Sequence, residues 1–145
     1  QHIVNLPRPV AMVFVDEGGL GSGVVDILKE RYPDRVKGIQ FGGASMRPNA
    51  SNKRTEMWLS MREWFEEKVS VQNSSELRSD LCSLQYKIDS SGRYVLESKD
   101  DAKKRGVKSP DCSDALALTF AEPVIMSDNY EDYEQDNGRS SVTGY

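Results

Sequence analysis

The chain has 145 residues, 37% hydrophobic and 29% charged, with a formal net charge of −4. That is enough for one domain with its own core, and no apolar run approaches the about 18 residues of a membrane span, so no membrane partner is expected. Two cysteines without C-x-x-C spacing and a single histidine, His2, argue against a disulfide scaffold, a zinc site or histidine catalysis.

The charge is unevenly spread. From Ala121 onward six acids face Arg139 alone, which leaves the rest of the chain close to neutral. The sequence therefore divides into a body, residues 1–123, and an acidic tail, residues 124–145. The tail's tyrosines stand among charges with no helical period, which predicts a disordered segment or a docking peptide.

In chain order, Val10 to Val15 is a continuous apolar run, predicting a strand buried on both faces. It ends at Asp16 and Glu17, before the glycine-rich "GGLGSG". From Gly21 the spacing turns helical, with Val24, Ile27, Leu28 and Tyr32 on one stripe and Pro33 as the stop. A second strand follows around Val36 to Phe41, so strand, helix and strand form a βαβ unit with parallel strands. "NKRTEMWLSMREWFEEK" predicts a helix with Met57, Trp58, Met61, Trp64 and Phe65 on its core face. "LQYKIDSSGRYVLES" predicts a β-hairpin. "KDDAKKRG" is a short charged helix stopped by Gly106, and "SPDCSDALALTFAE" starts a last helix. The fold class is α/β.

The acids supply the chemistry. In parallel α/β sheets ligands bind beyond the carboxyl ends of strands, where Asp16 and Glu17 stand. Asp111 and Asp114 are three apart at the start of the last helix and so share a face. Asp111 suits an N-cap equally well. "GGLGSG" lacks the Gly-Lys-Ser/Thr of a phosphate loop and the full dinucleotide fingerprint. Carboxylates converging from a strand end and a helix start would hold hard divalent cations, Mg²⁺ or Mn²⁺, and two such ions about 4 Å apart support phosphodiester hydrolysis.

"VDEGGLGSGVVDIL", "GIQFGG", "NKRTEMWLSMREWF" and "LESKDDAKKRGVKSPDCSDALALTFA" together resemble the C-terminal nuclease domain of tailed-phage and prophage terminase large subunits. The resemblance runs in order from about Val10 to Pro123. It implies an RNase H-like (ribonuclease H-like) fold and a two-metal endodeoxyribonuclease that cuts concatemeric DNA during viral genome packaging in the cytoplasm of the bacterial host. Double-stranded DNA, the portal protein and the small terminase subunit are the implied partners. By position, Asp16 and Asp114 match family metal-binding acids, and Asp111 matches a position that faces the metals in some relatives.

The family has an earlier strand ending in another catalytic Asp, and nothing before Val10 supplies it. No phosphate loop marks the upstream ATPase domain either. The expectation is a nuclease domain lacking its first strands, with an open sheet edge at Val10 to Val15 and apolar surface beside it. Glu17, Asp26 or Asp111 would have to replace the missing acid in an active chain. Lys99, Lys103, Lys104, Arg105 and Lys108 precede the acidic helix and are the expected phosphate contacts. The competing reading is a non-catalytic DNA- or portal-binding fragment of a degenerate prophage terminase.

Overall fold

The computed structural model describes residues 10–124. The acidic tail lies outside the described residues, apart from its first position, Val124.

The βαβ unit is formed by β1 (Val13–Asp16), α1 (Gly21–Arg31) and β2 (Val36–Ile39). The strands are parallel, in a register running from Val13 opposite Val36 to Asp16 opposite Ile39. Bonds from Val13 N to Arg35 O (2.7 Å) and from Glu17 N to Ile39 O (3.0 Å) extend the ladder at both ends. β1 starts three residues later than the apolar run suggests and takes in Asp16 as its last residue. Its burial is only partial, and among the described residues its second edge has no partner strand.

The buried stripe of α1 is a correction. The structure buries Val25 and half-buries Leu28 and Tyr32, while Val24 and Ile27 are 47% and 69% exposed. Val25, Leu28 and Tyr32 stand at i, i+3 and i+7, an equally good helical face. Gly21 fixes the start of the helix hard against the strand, since a Cβ there would come 1.8 Å from the Asp16 carbonyl oxygen. That close approach sets which face of α1 meets the sheet. Leu20, Val24 and Ile27 are left as an apolar row on the outside.

α2 (Lys53–Phe65) begins at Asn52, whose side chain caps the Thr55 amide. Met57 and Met61 are fully buried and join Ile39, Ala117 and Ala121 in the core, with Phe14, Phe41, Trp58 and Phe65 packed around them. α3 (Ser75–Ser83) was not anticipated from the sequence. Its signal was Ser74, whose Oγ accepts the Leu77 amide as an N-cap.

The hairpin is β3 (Tyr86–Ile88) and β4 (Tyr94–Leu96), turned through Asp89 and Gly92 (φ 76°). Tyr94 N donates to Asn49 O and accepts Ser51 N on its own carbonyl, and Leu96 N donates to Thr55 Oγ1, which fastens β4 to α2. α4 (Lys99–Lys104) is capped by Ser98 and closed at Gly106, with φ 82°. α5 (Asp111–Leu118) follows with Pro110 at the N-cap position, so Asp111 is the first helical residue and not the cap. Asp80 of α3 does part of that work instead, accepting the Cys112 amide at 3.0 Å.

Candidate active site

Asp114 is the most buried carboxylate among the described residues. It sits in the first turn of α5, 4% exposed, where an unpartnered charge would be costly. Arg54 of α2 supplies a bidentate pair, Nε to Oδ1 at 3.0 Å and Nη2 to Oδ2 at 3.2 Å. Trp58 Nε1, one turn further along α2, donates to the same Oδ1 at 2.9 Å. The arrangement follows from α2 and α5 packing together through Met57, Met61 and Ala117. Residues 54 and 58 are four apart, so both face Asp114.

Arg54 is itself buried. Its Nη1 donates to Glu97 O at 2.9 Å, and its guanidinium lies 6.0 and 5.9 Å from the rings of Phe41 and Trp58. The aromatic rings supply apolar cover and cation–π contact, so the guanidinium is held in place from every side.

Asp16 reaches the same place from the end of β1. Its Oδ1 accepts Gly18 N at 3.0 Å, which tucks the glycine turn back on the strand end. Its Oδ2 faces Lys99 Nζ at 3.6 Å, and the same ammonium lies 3.4 Å from Asp114 Oδ2. The two carboxylate oxygens therefore lie within the sum of those distances of each other. Lys99 Nζ is also 5.1 Å from the Phe41 ring centroid. Two acids and two bases balance, and one cationic atom stands between two carboxylates.

The remaining predicted residues are distributed differently. Asp111 is exposed and accepts a hydrogen bond from Ser109 Oγ at 2.5 Å. The structure does not bring it to Lys99. Glu17 turns towards β2, where Gln40 Nε2 donates to it at 3.4 Å and its carboxyl packs on Gly38. Asp26 lies exposed on α1.

Of the five predicted phosphate contacts, Lys99 turns into the acid pair. Lys104 pairs with Asp101 at 3.0 Å, Arg105 with Glu97 at 2.6 Å and Lys108 with Glu76 at 3.2 Å. Hydrogen bonds to those carboxylates raise the pKa of all three bases. Among the described residues Lys103 alone of the five has no ion pair. Arg54 and Trp58 are the partners of Asp114 that the sequence does not reveal. Trp58 was assigned wholly to the core, and nothing local marks Arg54 as a partner for a residue 60 positions away.

The donor set is small. Among the described residues no group of three or more His, Cys, Asp or Glu side chains is placed to hold a metal ion. Asp114 Oδ1 accepts from Arg54 Nε and Trp58, and Asp114 Oδ2 accepts from Arg54 Nη2 while it and Asp16 Oδ2 both face Lys99 Nζ. Two carboxylates suit one Mg²⁺-like ion that keeps most of its water. A second ion would need a further acid.

No family model matches the chain, and no curated protein matches it. Among solved structures it is similar to the nuclease domain of the large terminase subunit gp2 of bacterial virus Sf6, a lysine-to-alanine variant with manganese. The identity is 17% and the TM-score 0.62, over 76% of this chain and 65% of that one. The chain thus spans less than two thirds of that domain's length. The likeness is one of fold: the described residues have a mixed α/β architecture similar to that nuclease domain.

Proposed function

We propose that this chain is the acid-bearing portion of a metal-dependent DNA endonuclease, the nuclease domain of a viral terminase large subunit that cuts concatemeric DNA during genome packaging. The observation that carries this reading is the meeting of Asp16, from the end of a parallel strand, and Asp114, from the start of α5, on one ammonium group. Two carboxylates meeting beyond the carboxyl end of a parallel strand are among the groups that metal-assisted phosphodiester hydrolysis uses.

Asp16 and Asp114 would hold one divalent cation, Mg²⁺ or Mn²⁺, and that ion would supply charge neutralisation at the scissile phosphate and an acidified water. Arg54 and Trp58 keep the Asp114 carboxylate pointed at Asp16. Lys99, 44% exposed on its side chain, is held only at ion-pair distance by both acids, so its ammonium is free to turn to a phosphate oxygen. Lys103 presents an unpaired charge on the same short helix, where it would add sequence-independent affinity for double-stranded DNA.

A further strand on the open edge of β1, carrying another carboxylate, would complete a two-ion site. In that setting the host cytoplasm is the place of action, and the portal protein and small terminase subunit are the partners. Plasmid cleavage in Mg²⁺ or Mn²⁺ tests the reading. Asp16→Asn and Asp114→Asn should each abolish nicking without loss of the folded state, and Asp111→Asn should leave it. Cleavage that survives both of the first two substitutions would refute the assignment.

The absence of a three-acid group among the described residues favours a second reading, a DNA- or portal-binding module without catalysis. It predicts salt-dependent DNA binding that neither divalent ions nor Asp114→Asn change.

A further inference from the structure

The hairpin carries an unused sheet edge. Its ladder is made by alternate residues of β3: Glu97 N donates to Gln85 O at 2.8 Å and Asp89 N to Arg93 O at 2.9 Å, with Lys87 opposite Val95 between them. In an antiparallel ladder the backbone groups of the intervening residues point the other way. The N–H and C=O of Tyr86 and of Ile88 therefore face outward, and among the described residues no further strand pairs with them. All of β3 is exposed, Tyr86 by 62% and Ile88 by 54%.

The two faces beside this edge differ. Tyr86 shares one face with its cross-strand neighbours Leu96 and Tyr94, and these three line a groove of about 400 Å³ together with Trp58, Phe65 and Leu84. Apolar concavities of this size mark binding sites more than solvated surface. Lys87 lies on the opposite face, beside Glu97 and Asp101. Those two acids are already matched, Glu97 with Arg105 at 2.6 Å and Asp101 with Lys104 at 3.0 Å. The Lys87 ammonium is thus left without an ion pair among the described residues.

We infer that β3 is a docking edge for an extended segment of a partner protein, which joins the hairpin as a third, antiparallel strand with the pattern apolar–acidic–apolar. Main-chain bonds to Tyr86 and Ile88 hold the segment and set its register. Residues directly opposite one another in a sheet share a face, so the partner residues facing Tyr86 and Ile88 carry their side chains on the groove side. Apolar side chains there cover two exposed apolar residues and the mouth of the groove. The residue between them faces Lys87, where a carboxylate meets an unmatched ammonium and a lysine is repelled. A second copy of this chain is the poorer occupant, because pairing β3 along its whole length with another β3 sets Lys87 against Lys87. The docking does not rest on the nuclease reading, since neither Asp16 nor Asp114 takes part.

The probe is the capped peptide Ser-Thr-Val-Glu-Val-Thr-Ser, titrated into the full isotope-labelled chain with amide exchange followed by NMR. Bound peptide should slow exchange of the Tyr86 and Ile88 amides by about tenfold or more. Replacing the peptide's Glu by Lys should weaken binding about fivefold, and Lys87→Glu should reverse that preference. N-methylation of both valines removes the N–H groups aimed at β3 and should abolish binding, while N-methylation of the central Glu should not. No shift at about 1 mM peptide would overturn the inference. So would a shift without protection of the two amides, or indifference to the central charge. Protection that appears without peptide and grows with protein concentration would assign the edge to a second copy and overturn it equally.

Discussion

Arg54→Met removes one partner of a buried ion pair and leaves its carboxylate in place. Both side chains are less than a tenth exposed, so solvent does not screen the pair. The substitution takes away the bidentate contact at 3.0 and 3.2 Å and the bond from Nη1 to Glu97 O. Breaking a buried pair this way costs about 3–5 kcal/mol. Lys99 stays 3.4 Å from Asp114 Oδ2, and Trp58 still donates to Oδ1, so the loss belongs at the lower end of that range. A loss of about 3 kcal/mol is a large share of the about 5–15 kcal/mol that stabilises a domain. At about 2–4 °C per kcal/mol for a chain of this size, Tm should fall by about 6–12 °C. Urea unfolding at neutral pH measures the loss directly. Arg54→Met combined with Asp114→Asn should cost less than the two single substitutions added together, because no charge is then left buried without its partner. A single-variant loss under about 1 kcal/mol would refute the reasoning, because it would mean that Asp114 is not the buried carboxylate described.

Glu56 is the second test. Burial raises its pKa, but hydrogen bonds from Lys53, Ser45 and the Met46 amide outweigh burial and leave it lowered. A lowered folded value means that the contribution is complete above the ordinary 4.5 and is lost as pH falls through the folded value. Glu56→Gln should therefore destabilise by about 1–3 kcal/mol at pH 7, and urea titrations should show the gap from the parent closing in acid. Gly21→Ala drives a Cβ into the Asp16 carbonyl, 1.8 Å away, and should cost at least the about 1–3 kcal/mol of overpacking, while Gly23→Ala meets nothing and should gain about 0.5–1 kcal/mol. Thermal melts of the pair should therefore move in opposite directions. Burial first, and the charges of Glu76 and Asp80 after it, raise the Cys112 thiol pKa, so maleimide should modify the exposed Cys82 well before Cys112, as read by mass spectrometry of the digested protein.

What was legible in the sequence was whatever has a local period or a local stop. The βαβ unit, α2, the hairpin and α4 each announce themselves through spacing and glycine or proline punctuation, and all are present. α3 was not read because its nine residues bury only Asp80, so no apolar period marks it. The face of α1 was misread because Val24 and Val25 are adjacent and either one completes a stripe with Leu28. The choice was made by tertiary packing of Gly21 on the end of β1. Partner assignments were harder still. Asp114 could be picked out by its place at a helix start, but its partners come from 56, 60 and 15 residues away, through the meeting of α2, α4 and α5.

The same packing separates the two acids that looked equivalent. Asp111 and Asp114 share a helix turn, yet residue 111 is exposed at the tip and residue 114 faces α2. A carboxylate at the tip is solvated and has Ser109 as its partner. Three residues further in it needs Arg54, Trp58 and Lys99, because burying it without them would cost several kcal/mol. The charge balance around Asp114 therefore follows from the depth of α5 in the fold. Asp16, at the strand end and a third exposed on its side chain, holds the glycine turn through Oδ1 and adds its Oδ2 to the same ammonium. A buried acid held by three donors accounts for stability. A second acid brought to the same ammonium, at the rim of a parallel sheet, leaves Lys99 with two carboxylates to serve and neither contact short, so its single charge is shared between them.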